Sequence, residues 1–223
     1  PGTGKSHTAA CMIIALMKAG KKIGVSALSH KVINGLLNKV TEMALREKMN
    51  IDIIQKVREE SKDNKPAWNE STDNDEVADA IRKRCQVAAG TSFMWAREQF
   101  FESVDYLFVD EAGQLSLIDT IALAHAGKNL VLMGDPQQLK QPQKGSHPEG
   151  TEVSALEHVL QGEKTISNEQ GLFLETTWRM HPGINDYISE LFYDGRLHPK
   201  DETRNQTLEG ITPYQKPGLY LEI

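Results

Sequence analysis

Cysteine is scarce: two residues in 223, Cys11 and Cys85, with no CxxC spacing and no cysteine–histidine pairing. That excludes a disulfide-built scaffold and a zinc site of the usual spacing, and both thiols, set among apolar neighbours, read as buried. Aromatic residues make up 6% of the chain, so ring-lined surfaces are few. The longest apolar run, Ala9 to Met17, is far short of the roughly 20 residues that a membrane-crossing helix needs. This leads us to expect no membrane partner and a cytoplasmic protein. Positive charge is not in excess either. With 25 Lys and Arg against 31 Asp and Glu, the net charge is −6, which argues against coating nucleic acid through bulk charge but leaves a local basic groove open. No repeat is visible, and His30, His125, His158, His181 and His198 show no metal-ligand spacing. What remains, 39% hydrophobic and 25% charged, is the composition of an ordinary globular chain.

The chain opens on Pro1-Gly2-Thr3-Gly4-Lys5-Ser6, followed by a helix-like run from His7 to Ala19. These six residues match the second half of G-x-x-x-x-G-K-[ST]. In that pattern small residues let backbone N–H groups close around phosphates, the lysine reaches the terminal phosphates and the hydroxyl ligates Mg²⁺. The helix start adds its unpaired N–H groups and dipole to an anion site. Gly2, Thr3, Gly4, Lys5, Ser6 and His7 are therefore candidate nucleotide-binding residues, with Ser6 also a candidate metal ligand. The pattern's first glycine and its feeding strand would precede Pro1, so a longer parent chain is expected. A plain turn before an amphipathic helix is the blander alternative.

Downstream, short β-branched runs at Lys22–Ala27, Gln86–Ala89, Val104–Val109 and Asn129–Met133 alternate with helix-like segments. These segments include one with Ser29 as N-cap and Val32, Ile33, Leu36, Leu37 and Val40 at helical spacing, and others around Met94–Phe101 and Leu115–Ala126. Such alternation predicts an α/β fold, a parallel sheet with helices on both faces, whose ligands sit at the carboxyl ends of the strands. Between residues 41 and 84 the pattern changes to a charged helix through Val57, a polar stretch and another short helix. We expect a helical insertion here, mobile over residues 61–74.

The apolar strand Tyr106-Leu-Phe-Val109 ends in Asp110-Glu111. A P-loop ATPase needs carboxylates there, Asp110 to hold Mg²⁺ and Glu111 to orient or deprotonate the attacking water. A second strand ends in Gly134-Asp-Pro-Gln-Gln138, where the amide of Gln138 can donate to a γ-phosphate and accept from water. Arg179, in Trp178-Arg-Met-His-Pro182, is a candidate arginine finger, with a surface or ion-pair role as the alternative. Phe93 and Trp95 read as core packing, with base stacking the less favoured option.

In this order the motifs PGTGKS, SALSHKVINGLL, AAGTS, VDEAGQ, GDPQQL and WRMHPGINDYISELFYDGRL resemble the superfamily 1 helicases of the Upf1-like, 5′-to-3′ branch. The stretch from His147 to Leu197 is also similar to a subgroup fused to a predicted RecB-like nuclease, although no nuclease motif is present. The resemblance implies an ATP-dependent helicase or translocase with ATP and Mg²⁺ as cofactors and Lys5, Glu111, Gln138 and Arg179 as catalytic residues. Asp110 and Ser6 would serve the metal. Single-stranded nucleic acid, DNA ahead of RNA, would be gripped by Ser29, His30, Thr91 and Ser92, which physically could equally be helix or turn caps. It further implies a RecA-like P-loop NTPase fold: residues 1–170 as motor domain 1, lacking its first strand and carrying the 41–84 insertion, and residues 171–223 as the start of motor domain 2. A PhoH-like P-loop ATPase without unwinding, or a catalytically silent nucleic-acid-binding scaffold, stands as the alternative.

Overall fold

The computed structural model describes residues 2–62, 65–138 and 153–206. The chain divides into two compact units, Ser6–Val159 and a smaller one made of Pro1–Lys5 with Leu160–Ile223.

The larger unit is built on six parallel strands: β1 (Ile23–Ser26), β2 (Ile53–Lys56), β3 (Asn69–Ser71), β4 (Val87–Ala89), β5 (Val104–Val109) and β6 (Gly127–Leu132). They lie in the order β3-β2-β4-β1-β5-β6. Five helices connect them, α1 (Lys5–Lys18), α2 (His30–Arg46), α3 (Asn74–Lys83), the short α4 (Ser92–Trp95) and α5 (Leu117–Ala124). Because side chains alternate across a strand, neighbouring residues go to opposite faces. Ile53, Val87, Ala89 and Phe108 join α1 and α2 in one core, while Ile54, Ala88, Leu107 and Val109 join α3, α4 and α5 in the other. Both faces are covered, which is why the strands read as short continuous apolar runs.

Helix ends follow local chemistry. Gly20 at φ 73° ends α1, with its N–H on Met17 O (2.9 Å) and that of Lys21 on Leu16 O (3.0 Å), the Schellman arrangement in which glycine alone takes the left-handed step without strain. The Ser29 side chain accepts the N–H of Val32 and starts α2. Ser116 does the same for α5 with Asp119.

The segment 41–84 departs from the helical insertion expected of it. Helix α2 stops at Arg46, and Ile53–Lys56, expected to be helical, is instead strand β2, hydrogen-bonded in parallel to β4 and β3. The apolar pair Ile53-Ile54, buried on both faces, fits a strand as well as part of a helix turn, and the place beside β4 decides it. Trp68, within the stretch expected to be mobile, is buried and leads directly into β3. Two further expectations fail on exposure. Cys11 lies on the outward stripe of α1 and is exposed, whereas Cys85 is buried. Trp95 is in the core, but Phe93 is 78% exposed.

In the smaller unit β7 (Thr176–Thr177) pairs in parallel with β8 (His198–Pro199). Helix α7 (Pro182–Phe192), capped by the His181 side chain on Gly183 N, lies between them in sequence. Helix α6 (Ala155–Leu160) spans the point where the units divide. Edge strand β6 pairs only with β5 among the described residues, and Lys128, Asn129 and Leu130 along it are exposed.

Candidate functional site

The glycines of the opening loop take backbone conformations that other residues avoid: φ is 70° at Gly2 and 80° at Gly4. At Gly4 a Cβ would meet nothing within 4 Å, so glycine is required there by backbone angle, and the loop faces open space. Gly2 is required twice over. A Cβ on it would lie 2.5 Å from that of Arg179, and its carbonyl accepts the N–H of Trp178 at 2.9 Å. Within the smaller unit, therefore, Gly2 and the segment Trp178-Arg179 lie against each other. Thr177 Oγ1 accepts the Arg179 N–H at 3.3 Å, and the Arg179 residue is exposed. Ser6 and His7 belong to the first turn of α1.

In the larger unit, β5 delivers Asp110 and Glu111 to the carboxyl edge of the sheet. Asp110 is buried, its N–H bonded to Ser26 O (2.9 Å) and its Oδ1 to the N–H of Glu111 (2.9 Å). Glu111 sits at φ 53°, a left-handed conformation that costs a side-chain-bearing residue about 1–2 kcal/mol. The turn is locked by Ala112 N–H on Met133 O (2.8 Å) and Gln114 N–H on Glu111 O (2.8 Å).

The loop after β6 abuts this turn backbone to backbone. A Cβ on Gly113 would lie 2.8 Å from Asp135 O, and one on Gly134 would lie 2.8 Å from Gly113 N. Asp135, buried, accepts the N–H of Gln137 on Oδ1 (3.1 Å) and one side-chain N–H of Gln138 on Oδ2 (2.9 Å). The amide of Gln138 is thereby oriented, leaving its other N–H and its carbonyl oxygen for a ligand. Leu139, the end of the fifth motif, lies outside the described residues, as do residues 147–152 at the start of the stretch from His147 to Leu197.

Sequence reading missed two groups here. Asp135 reads as a turn residue until its grip on Gln138 is seen. Ser26 is fully buried and its Oγ has no hydrogen-bond partner, one register step from the Asp110 strand end, since Ser26 pairs with Val109. A buried hydroxyl left unpaired is costly, and no sequence signal distinguishes it from a capping serine.

The residues proposed for nucleic acid lie at the ends of β1 and β4. Ser29 is the α2 cap and His30 its first residue. Thr91 precedes α4 and forms no side-chain cap bond, so its hydroxyl is not spent on the helix. The donor set around Asp110 is hard oxygen, and no cluster of three His, Cys, Asp or Glu is found among the described residues. Such a set suits Mg²⁺, which keeps waters and leans on substrate phosphates rather than on an all-protein cage. No helix among the described residues is long and apolar enough to cross a membrane.

Comparison with known proteins bears on the same motifs. The family described as AAA domain matches residues 46–141, a span that includes Asp110, Glu111 and Gln138. The chicken (Gallus gallus) DNA replication ATP-dependent helicase/nuclease DNA2 is 25% identical over 208 residues, 88% of this chain and 20% of that protein. Its fission-yeast (Schizosaccharomyces pombe) counterpart dna2 is 28% identical over 214 residues, 92% of this chain and 15% of that one. Helicase sen1 of the same yeast is 34% identical over 102 residues, 45% of this chain and 6% of its own. The chain thus spans a fifth or less of these relatives. Among solved structures, the Arterivirus nonstructural protein 10 (helicase) with DNA aligns with a TM-score of 0.58 and 16% identity over 90% of this chain and 40% of that one, a likeness of fold. With an AAA domain match at residues 46–141 and these helicases among its relatives, the chain is similar to ATP-dependent helicases of the DNA2 and Sen1 kind.

Proposed function

We propose that this chain supplies the first motor domain, and the start of the second, of an ATP-dependent superfamily 1 helicase or translocase acting on single-stranded nucleic acid. The observation that carries this reading is the backbone contact between the Asp110-Glu111 turn and the Gly134–Gln138 turn, which sets a carboxylate pair and an oriented amide on neighbouring strand ends.

In this reading the N–H groups of Gly2 to Ser6 and the ammonium of Lys5 hold the phosphates of ATP, and Ser6 and Asp110 hold Mg²⁺. Bound Mg²⁺ supplies charge neutralisation for the departing phosphate. Glu111 takes the proton of the attacking water, and Gln138, held by Asp135, positions that water against the γ-phosphate. Arg179 offers a guanidinium to the charge that develops on the transferring group. Ser29, His30, Thr91 and Ser92 present donors to the strand's phosphates, contacts that position without reading sequence. The DNA replication helicase/nucleases among the relatives favour DNA over RNA as track, and a nuclease elsewhere in the parent protein.

The test is steady-state ATPase activity of the full-length protein with Mg²⁺, without and with single-stranded DNA or RNA, at two salt concentrations. Stimulation that weakens with salt supports a translocating motor and names its track. Hydrolysis indifferent to both strands points to an ATPase without a track, and absence of hydrolysis removes the motor reading.

A further inference from the structure

The six parallel strands all end on one edge of the sheet, so the sheet order is also an order of loops along that edge. From the ATPase carboxylates after β5 it runs through Ser29 and His30 after β1 and Thr91 and Ser92 after β4, and then to the end of β2. The registers are level, with Val25 and Gln55 both opposite Ala89. At about 4.8 Å per strand, Lys56 stands roughly 10 Å along the edge from Ser26.

Strand β2 ends in Lys56-Val57-Arg58. Lys56 is partly exposed and, among the described residues, donates only to the carbonyl of Val57 (2.9 Å). Arg58 is exposed and forms no ion pair among the described residues. Beneath them lies a buried polar relay. Gln55 is fully buried, and its Oε1 accepts the indole N–H of Trp68 at 2.7 Å. Indole can only donate, so the amide orientation is fixed: Nε2 must face Asn34 Oδ1 (2.8 Å) and His30 Nδ1 (3.4 Å). His30 Nδ1 is then an acceptor and the proton sits on Nε2, making the imidazole a neutral donor. Burial, with Arg58 and Lys56 nearby, lowers the His30 pKa against a smaller opposing effect of Glu70. Glu70 itself is held by the N–H and hydroxyl of Ser61.

We propose that the end of β2 extends the nucleic-acid track beyond the two motif loops: Lys56 and Arg58 grip strand phosphates, and His30, oriented through Gln55 by Trp68, stands beside them as a hydrogen-bond donor. The proposal rests on the helicase reading given above. A strand crossing this edge meets two cations in a molecule that is otherwise net negative, and it meets them in the segment whose sequence reads as an inserted helix.

The test uses fluorescence anisotropy of the full-length protein with fluorescein-labelled oligo(dT) and oligo(U) across a salt series. It compares Lys56→Gln/Arg58→Gln with a control of equal charge change, Arg82→Gln/Lys83→Gln, on the exposed face of α3. The expected result is affinity about tenfold weaker for the β2 variant and a log Kd against log salt slope shallower by about 1.4, two single-strand phosphate contacts, with the control close to wild type. Should the double variant lose its fold by circular dichroism, Arg58→Gln alone carries the test, with a slope change of about 0.7. Wild-type binding with an unchanged β2 variant, or an equal loss in the control, overturns the proposal and leaves the helicase reading standing. Failure of the wild type to bind either strand overturns the helicase reading itself.

Discussion

Glu111 carries a proposed role and a backbone cost in one residue. Its φ of 53° is a conformation that glycine would hold without strain, yet a carboxylate stands there. If Glu111 is the general base, Glu111→Gln keeps Mg-ATP binding while steady-state turnover falls by about 10²–10⁴-fold. Near-normal turnover would remove that assignment. Glu111→Gly also abolishes turnover but leaves thermal stability unchanged or raised by up to about 1 kcal/mol, since left-handed strain is relieved against added chain entropy. A loss of more than about 1 kcal/mol in chemical denaturation would show that the side chain supports the fold instead. The two cysteines divide as sharply. Burial, with the carboxylate of Asp52 accepting the Cys85 thiol, pushes its pKa up to about 12. The thiolate is the reactive form, so at pH 8 iodoacetamide labels exposed Cys11 and spares Cys85 until the protein unfolds. Mass spectrometry of the digested native protein checks this, and rapid labelling of Cys85 would contradict it.

At the scale of elements, the turns after β5 and β6 are one mechanical piece. Gly134 has no room for a methyl group, with Gly113 N at 2.8 Å, Ala112 N at 3.0 Å and Leu156 Cδ1 at 2.7 Å from the position it would take. Two of those three neighbours are backbone and cannot rotate away. Gly134→Ala is expected to cost about 1–3 kcal/mol and to lower turnover by prising the Gln138 loop from the carboxylates; thermal melting and ATPase rates together check it, and an unperturbed variant would mean the loops are independent.

The strands at residues 23–26, 87–89 and 104–109 were legible because both faces are covered and their apolar runs are unbroken. Strand β3 was not, since Asn69-Glu-Ser has no strand propensity and pairs only because β2 presents a free edge. The motif residues were legible from spacing alone. The hold of Asp135 on Gln138 was not, because it depends on the side-chain geometry of one turn; the unpaired hydroxyl of Ser26 and the relay from Trp68 to His30 were not, because they depend on strand order, and sequence spacing does not report which strands lie side by side.

At the scale of the whole molecule, the sheet's two margins are unequal. Strand β3 closes one side with three polar residues, too short and too hydrophilic to recruit a partner. Strand β6 closes the other with Gly127-Lys-Asn-Leu-Val-Leu132, and among the described residues it pairs with β5 alone. A strand this apolar, with Lys128 its one charge, has the make-up of a strand that takes a neighbour on each side. Amide hydrogen exchange along residues 127–132 of the full-length protein reads the occupancy of that margin: protection of every amide means a strand on both sides, and protection of alternate amides means β5 alone.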